Sequence, residues 1–448
     1  MFTLANLFRS AYNLPLPAIF IASNIIITIF VAWYAYKVIL NLLPNKFAAL
    51  FGGLLVAIHP AKNATLFWYS SIIANFELLL FLISVYLIFM SKKRDKTSLL
   101  IFSALIFVLA IFTYNFAIFM SPALLLLTLY TWKDSLKKIW PFAATYVLAS
   151  ALLVYFKIHF FVQGSKQIVE MHLIKTIGTT LNNNFGFEFF RLGNYAFMDG
   201  IKSLLGDTWL IIIVLVLVII TVLFLQRLTP KNNKSRRFIE LGAFGLTLFL
   251  LASLAMAKST YFSPASYSVM NRVNVFPSLG LIMILIALIG YLFTYKHIVG
   301  KIILPLAVVY FILVNIGVAG YYKYSYRYQK NVINFIASNN DKIIASDRPQ
   351  LILLNEKYLT MYGVPVISDP WTVKYMLNST LGTNDHQFYG TVVSNQLEYG
   401  NQEIIDHNLD TKFPYQGYLV DYDNQIFERF SNQSEFKVAM TKLIKASK

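Results

Sequence analysis

The chain has no cysteine and little charge: Asp, Glu, Lys and Arg make up 13% of its 448 residues. The first absence excludes disulfides, thiolate metal sites and a thiol nucleophile. The second excludes an ordinary water-soluble surface, which carries about a quarter charged residues. Acids are scarcer than bases, with 21 Asp and Glu against 38 Lys and Arg, for a formal net charge of +17. In a soluble protein that imbalance would suggest nucleic acid. Here 57% of the residues are hydrophobic and the mean hydropathy is +0.59. Such chains collect their bases in loops on one side of a membrane, so no nucleic-acid partner is expected. HExxH, Walker A and GxSxG signatures are all missing. No series of buried acids or histidines marks a proton pathway and no inverted repeat stands out, which weakens a transporter reading. Met1–Leu14 is mildly polar and no small-residue cleavage site follows, so the start is not a signal peptide.

What the chain does have is a succession of apolar runs. About 20 residues at 1.5 Å rise cross the hydrocarbon. This spacing predicts ten spans, near Leu16–Tyr36, Phe47–Ile58, Leu66–Met90, Ser98–Thr113, Phe116–Tyr130, Pro141–Phe161, Trp209–Leu225, Ile239–Ala257, Val275–Tyr295 and Ile302–Gly320. The loops Ser91–Thr97, Trp132–Lys138, Gln226–Arg237 and Tyr295–Lys301 are strongly basic and fall at alternate turns. Short basic loops stay cytoplasmic, which puts both termini outside together with His59–Glu77, Val162–Asp207 and Lys258–Asn274. The Phe185–Leu205 stretch mixes aromatic and charged residues, as helices on a membrane surface do.

From Tyr321 the composition changes. Gln350–Asn355, Tyr389–Val393 and Gly417–Asp421 read as strands and Trp371–Leu377 as a short helix. The expected fold is therefore an all-α polytopic membrane domain of about ten transmembrane helices over residues 1–320. A small α/β soluble domain follows over 321–448.

The candidate site residues lie in outward loops. His59-Pro60 is either a helix stop with an interfacial histidine or part of a site. Glu77 sits between Phe76 and Leu78, where a carboxylate is costly unless it faces a cavity or a partner. Lys62 is a candidate for that partner, in which case the pair would be structural. Arg272 either snorkels to lipid phosphates or grips a bound phosphate with its bidentate fork, and Lys258 adds charge at the other end of its loop. Glu170 beside His172 is not a metal-ligand spacing.

Together these segments resemble membrane glycosyltransferases of the GT-C fold, in the branch of the O-mannosyltransferases with tetratricopeptide repeats and their bacterial relatives. The resemblance rests on His59-Pro60, Trp68-Tyr69-Ser70, Glu77-Leu78-Leu79, Pro122-Ala123-Leu124-Leu125-Leu126-Leu127, and Arg272 with Phe276-Pro277-Ser278-Leu279-Gly280. It covers roughly Leu4 to Gly320. It implies transfer of a sugar from a polyprenyl-phosphate donor to an extracytoplasmic glycan or protein acceptor, in a bacterial inner membrane. Glu77 would be the second acidic residue of the catalytic site, where a carboxylate deprotonates the acceptor or orients a metal, and His59 would help line the cavity. Arg272 would bind the lipid phosphate, with Lys258, Lys62 and Trp68 as further substrate-binding residues. No cofactor is implied with certainty, and a divalent metal is the one that the chemistry leaves open. The chain departs from the family at two points. No acid precedes Glu77, and Tyr114-Asn115 stands where relatives often have Lys-Glu. Either an upstream helix and aspartate loop precede the given start, or the chain is a degenerate member. A non-catalytic membrane scaffold with an exposed partner- or glycan-binding domain is the alternative, and a lipid-linked oligosaccharide polymerase or flippase comes third.

Overall fold

The computed structural model describes residues 16–67, 71–113, 116–137, 139–140, 144–148, 151, 155, 173–206, 212, 235–257, 269–293, 297–339, 350–355, 360–361, 364–367, 373, 388–392, 397–399, 403–406, 411–414 and 417–446. The chain divides into two compact units, Met1–Val318 and Ala319–Lys448.

The first unit is helical: α1 (Leu16–Leu42), α2 (Lys46–Ile58), α3 (Ala64–Phe67), α4 (Ile72–Lys93), α5 (Ser98–Thr113), α6 (Ser121–Thr131), α7 (Leu173–Phe185), α8 (Phe187–Leu205), α9 (Ser235–Ala257) and α10 (Val275–Phe293), followed by α11 (His297–Ser338), which runs on into the second unit. Five described helical stretches are long and apolar enough to cross a membrane: Ala22–Leu42, Ile72–Lys93, Arg236–Ala257, Asn271–Tyr291 and Pro305–Ser338. Their exposed residues include Ile25, Ile29, Phe30 and Trp33 on α1 and Leu246 and Leu250 on α9. Outward apolar faces of that kind belong in lipid, not water.

The described residues thus carry five of the ten spans expected, with three shorter apolar helices, Lys46–Ile58, Ser98–Thr113 and Ala117–Thr131. The expected spans at Pro141–Phe161 and Trp209–Leu225 lie largely outside the described residues. Three expectations need correction. The run from Leu66 is not one helix, because α3 ends at Phe67 and α4 begins at Ile72. The run from Phe116 starts as a 3-10 turn, Ala117–Met120, and continues as the 11 residues of α6. The last run continues to Ser338 instead of stopping near Gly320.

Helices α9 and α10 pack backbone to backbone. A Cβ on Gly245 would lie 2.6 Å from the Gly280 carbonyl oxygen, and one on Gly280 would lie 2.5 Å from the Gly245 carbonyl oxygen. Small residues allow this approach, which is how helices associate where no hydrophobic drive separates them from lipid. A second polar seam joins α4 to α5, where the Ser84 and Ser103 hydroxyls each donate to the other's carbonyl, at 2.9 and 2.8 Å.

The second unit is α/β. Its described strands are β1 (Gln350–Leu354), β2 (Thr360–Met361), β3 (Val364–Pro365), β4 (Phe388–Val392), β5 (Leu397–Tyr399), β6 (Glu403–Asp406), β7 (Thr411–Pro414), β8 (Gly417–Asp421) and β9 (Ile426–Phe430), and a four-stranded sheet has the order β4-β1-β8-β9. β1 pairs parallel with both β4 and β8, and β9 closes one edge antiparallel. Alternate β1 residues face opposite sides. Ile352 and Leu354 join Val332, Ile333 and Ile336 from the end of α11. Leu351 and Leu353 join Phe436, Ala439 and Met440 of α12 (Gln433–Ala446). Both faces are covered, which is why β1 reads as an unbroken apolar run. The three strands read from sequence are β1, β4 and β8. The helix expected at Trp371–Leu377 lies outside the described residues except for Val373.

Overpacking at the α9–α10 contact gives the first prediction. Gly280→Val should destabilise the protein by about 1–3 kcal/mol, read as a lowered melting temperature in nanodiscs. An unchanged melting temperature would contradict the close approach.

Candidate functional site

Pro60 cannot continue α2, so the helix ends at Ile58 and the chain turns through Pro60–Lys62 before α3. His59 opens this turn, its Nδ1 accepting the Ala61 N–H at 3.2 Å. A helix broken in apolar surroundings leaves backbone groups that must find partners. Here asparagines supply them. Asn315 of α11 donates to the Ile58 carbonyl at 2.7 Å, and Asn274 donates to the Ala61 carbonyl at 2.9 Å. Asn24 of α1 donates to the carbonyls of Thr65 and Leu66 at 2.6 and 2.7 Å. Asn271 accepts the Ala64 N–H at 2.9 Å and donates to the Asn63 side chain at 2.8 Å. Asn271 and Asn274 belong to a second 3-10 segment, Val269–Asn274, at the start of α10. The loops carrying His59, Lys62 and Arg272 are therefore stitched together.

Two of these residues are fully buried bases. The His59 ring lies among Phe185, Phe189 and Phe311, with centroids 4.9, 5.5 and 5.1 Å away. Burial, with the nearby Lys62 charge adding to it, lowers its pKa to about 3. The imidazole is neutral, and because Nδ1 is an acceptor the proton sits on Nε2, which has no hydrogen-bond partner. Lys62 donates to the Asn75 Oδ1 at 3.3 Å, and burial lowers its pKa to about 7. Asn75 in turn donates to Thr28 at 3.0 Å.

Glu77 is 1% exposed, and its Oε1 accepts the Ala117 N–H at 2.6 Å. The carboxylate thus caps the first turn of the segment that leads into α6. Of the two candidate partners for Lys62, the structure gives Asn75 in place of Glu77: the ammonium donates to Asn75, two residues earlier on α4 and about 200° around the helix from Glu77. Arg272 is half-buried, and its Nε is buried without a partner. Lys258 and Trp68 lie outside the described residues, as do Tyr114 and Asn115. Among the described residues no three acids or histidines gather into a group able to hold a metal.

The structure brings His59, Lys62 and Arg272 into one pair of docked loops and places Glu77 further along α4. Sequence reasoning passed over the asparagines. Their signal was present, since Asn24, Asn75 and Asn315 sit inside apolar runs where an amide needs a partner as surely as an acid does. Comparison with protein-family models, curated proteins and solved structures gives no match. The functional reading therefore rests on these side chains.

Lys62 gives a pH prediction. Its folded pKa of about 7 lies below the ordinary 10.5, so between those values the unfolded chain binds more protons. Stability therefore rises with pH across that window. Melting curves in nanodiscs should show the rise for the native chain and a flatter profile for Lys62→Met. Identical profiles for the two would contradict a buried, unpaired lysine.

Proposed function

We propose that the chain is a membrane glycosyltransferase of the GT-C type, multi-pass in a bacterial inner membrane, with its C-terminal domain extracytoplasmic. It moves a sugar from a polyprenyl-phosphate donor to a glycan or protein acceptor. The observation that carries this reading is Arg272, a half-buried guanidinium whose Nε has no partner, on a loop fastened to the His59–Lys62 loop. A planar fork held open in this way suits a phosphate oxygen, and the charge it supplies would stabilise the leaving phosphate. His59 is neutral and would line the donor side as an Nε2–H donor. Glu77 is the acid available to accept the proton of the attacking hydroxyl. The resemblance in the segments around His59, Glu77 and Arg272 supports the same assignment.

The second reading, a non-catalytic scaffold, is favoured by one observation. Glu77 is shut off from solvent, and one of its oxygens is already committed to the Ala117 amide.

Glu77→Gln separates the two, because a glutamine carbonyl still accepts the Ala117 N–H while losing the basic oxygen. In membranes supplied with polyprenyl-phosphate sugars, Glu77→Gln should abolish transfer and leave donor binding intact. Arg272→Ala should weaken donor binding about tenfold or more. Transfer by Glu77→Gln at the native rate would remove Glu77 from the chemistry, and donor binding unaffected by Arg272→Ala would remove the phosphate assignment.

A further inference from the structure

Helix α11 has bases at both ends of its apolar stretch. Residues 302–322 hold no Asp, Glu, Lys or Arg. At 1.5 Å per residue they measure about 30 Å, the thickness of the hydrocarbon. The basic loop Tyr295–Lys301 precedes them, and Lys323, Arg327 and Lys330 follow on the same continuous helix. Retention of bases on one side of a membrane accounts for one of these ends and leaves the other unexplained. Nothing nearby in the chain balances the second group, since Tyr321–Ser338 contains no Asp or Glu. Lys323, Arg327 and Lys330 are exposed and form no ion pair among the described residues.

The three bases form one stripe. Spaced by four and then three residues, they lie within about 60° of one another around the helix. Val332 and Ile336, buried against the sheet, occupy the opposite face. Tyr324 and Tyr326 flank the stripe and are 49% and 63% exposed. A Cβ on Gly320, where the helix leaves its apolar stretch, would meet nothing within 4 Å, so the helix surface is open there. Lys323 is the first residue past the uncharged stretch, with Arg327 about 6 Å and Lys330 about 10 Å further along the axis. The polar layer of a bilayer is about 5–8 Å deep on each side. Lys323 and Arg327 thus stand at headgroup depth, with Lys330 just above it. Tyrosines are enriched at the same level.

We propose that Lys323, Arg327 and Lys330 are a docking stripe for the phosphate headgroups of anionic phospholipids. Depth selects this partner: an acidic protein or glycan would have to enter the headgroup layer to meet Lys323. The Arg327 fork suits two phosphate oxygens, and the two lysines act as point charges on either side of it. Each base at an anionic surface strengthens association by about fivefold. The stripe holds the start of the second unit at the bilayer surface by charge as well as by the span. It lies on a different helix from Glu77 and Arg272 and does not depend on glycosyl transfer.

The test uses the full chain in phosphatidylcholine nanodiscs. Because the chain has no cysteine, Tyr326→Cys gives a single point for a fluorophore. Quenching is titrated with phosphatidylglycerol, and separately with phosphatidylcholine, each bearing a nitroxide just below its headgroup. Phosphatidylglycerol should quench at a mole fraction about 3- to 10-fold lower than phosphatidylcholine. Lys323→Gln, Arg327→Gln and Lys330→Gln together should bring the two lipids within about 1.5-fold, and Arg327→Gln alone should cut the preference about twofold or more. Salt at about 1 M should shrink it in the same way. Lys93→Gln with Arg94→Gln, on α4, should leave it unchanged. Equal quenching by the two lipids, no quenching by either, or a preference that survives the triple substitution overturns the stripe. Glycosyl transfer is not read in these titrations, so their failure leaves the reading built on Glu77 and Arg272 standing.

Discussion

Every backbone amide and carbonyl in an apolar surrounding needs a partner, and the first unit is organised around one place where the helix cannot provide it. Between Ile58 and Ala64 the chain abandons regular α-helix, and Asn24, Asn271, Asn274 and Asn315 take up carbonyls and an amide from Ile58 to Leu66. The partners come from 41 to 257 residues away. Such bonds form only once the helices have assembled, so the loop is a product of the fold as a whole. Removing one asparagine would orphan a buried backbone group as well as the side chain's own contact.

That constraint also accounts for the electrostatics. Holding the broken segment inside the packed unit buries His59 and Lys62, and burial opposes their charged forms. A soluble loop would leave both in water with ordinary titration. The aromatic rings of Phe185, Phe189 and Phe311 complete the enclosure on the His59 side. The basic groups of these loops are therefore held away from water, where their neutral forms are favoured.

The membrane character was legible in the sequence because hydropathy is a property of composition, and α5 was expected at Ser98–Thr113, where it stands. The strands Gln350–Leu354 and Gly417–Asp421 were legible because both are buried on two faces and so read as continuous apolar runs. Less was legible where the pattern depends on tertiary contact. The short helix Ala64–Phe67 stands within a network of partners that no local window contains. The end of α11 remains helical past Gly320 because Val332, Ile333 and Ile336 cover the sheet, a reason lodged in a distant segment. β9 and α12 were missed for the opposite reason, since half-exposed, charged sequences such as Ile426–Phe430 carry little periodic signal. At the site, acids and bases drew attention, whereas the amides that position them did not.

Taken together, α4 ties the two ends of the account: its first turn faces the Lys62 loop, and about 30 Å further on its last turn ends at Lys92 and Lys93. The stitched loops are what bring Arg272 to the Lys62 segment, and any function read from these residues depends on that junction. The most direct test is a double-mutant cycle on Asn63→Ala and Asn271→Ala, reading thermal stability of the full chain in nanodiscs. The account predicts that the two losses are coupled by about 0.5–3 kcal/mol, because each removes the same 2.8 Å contact. Losses that add independently would mean that the two loops are not joined there.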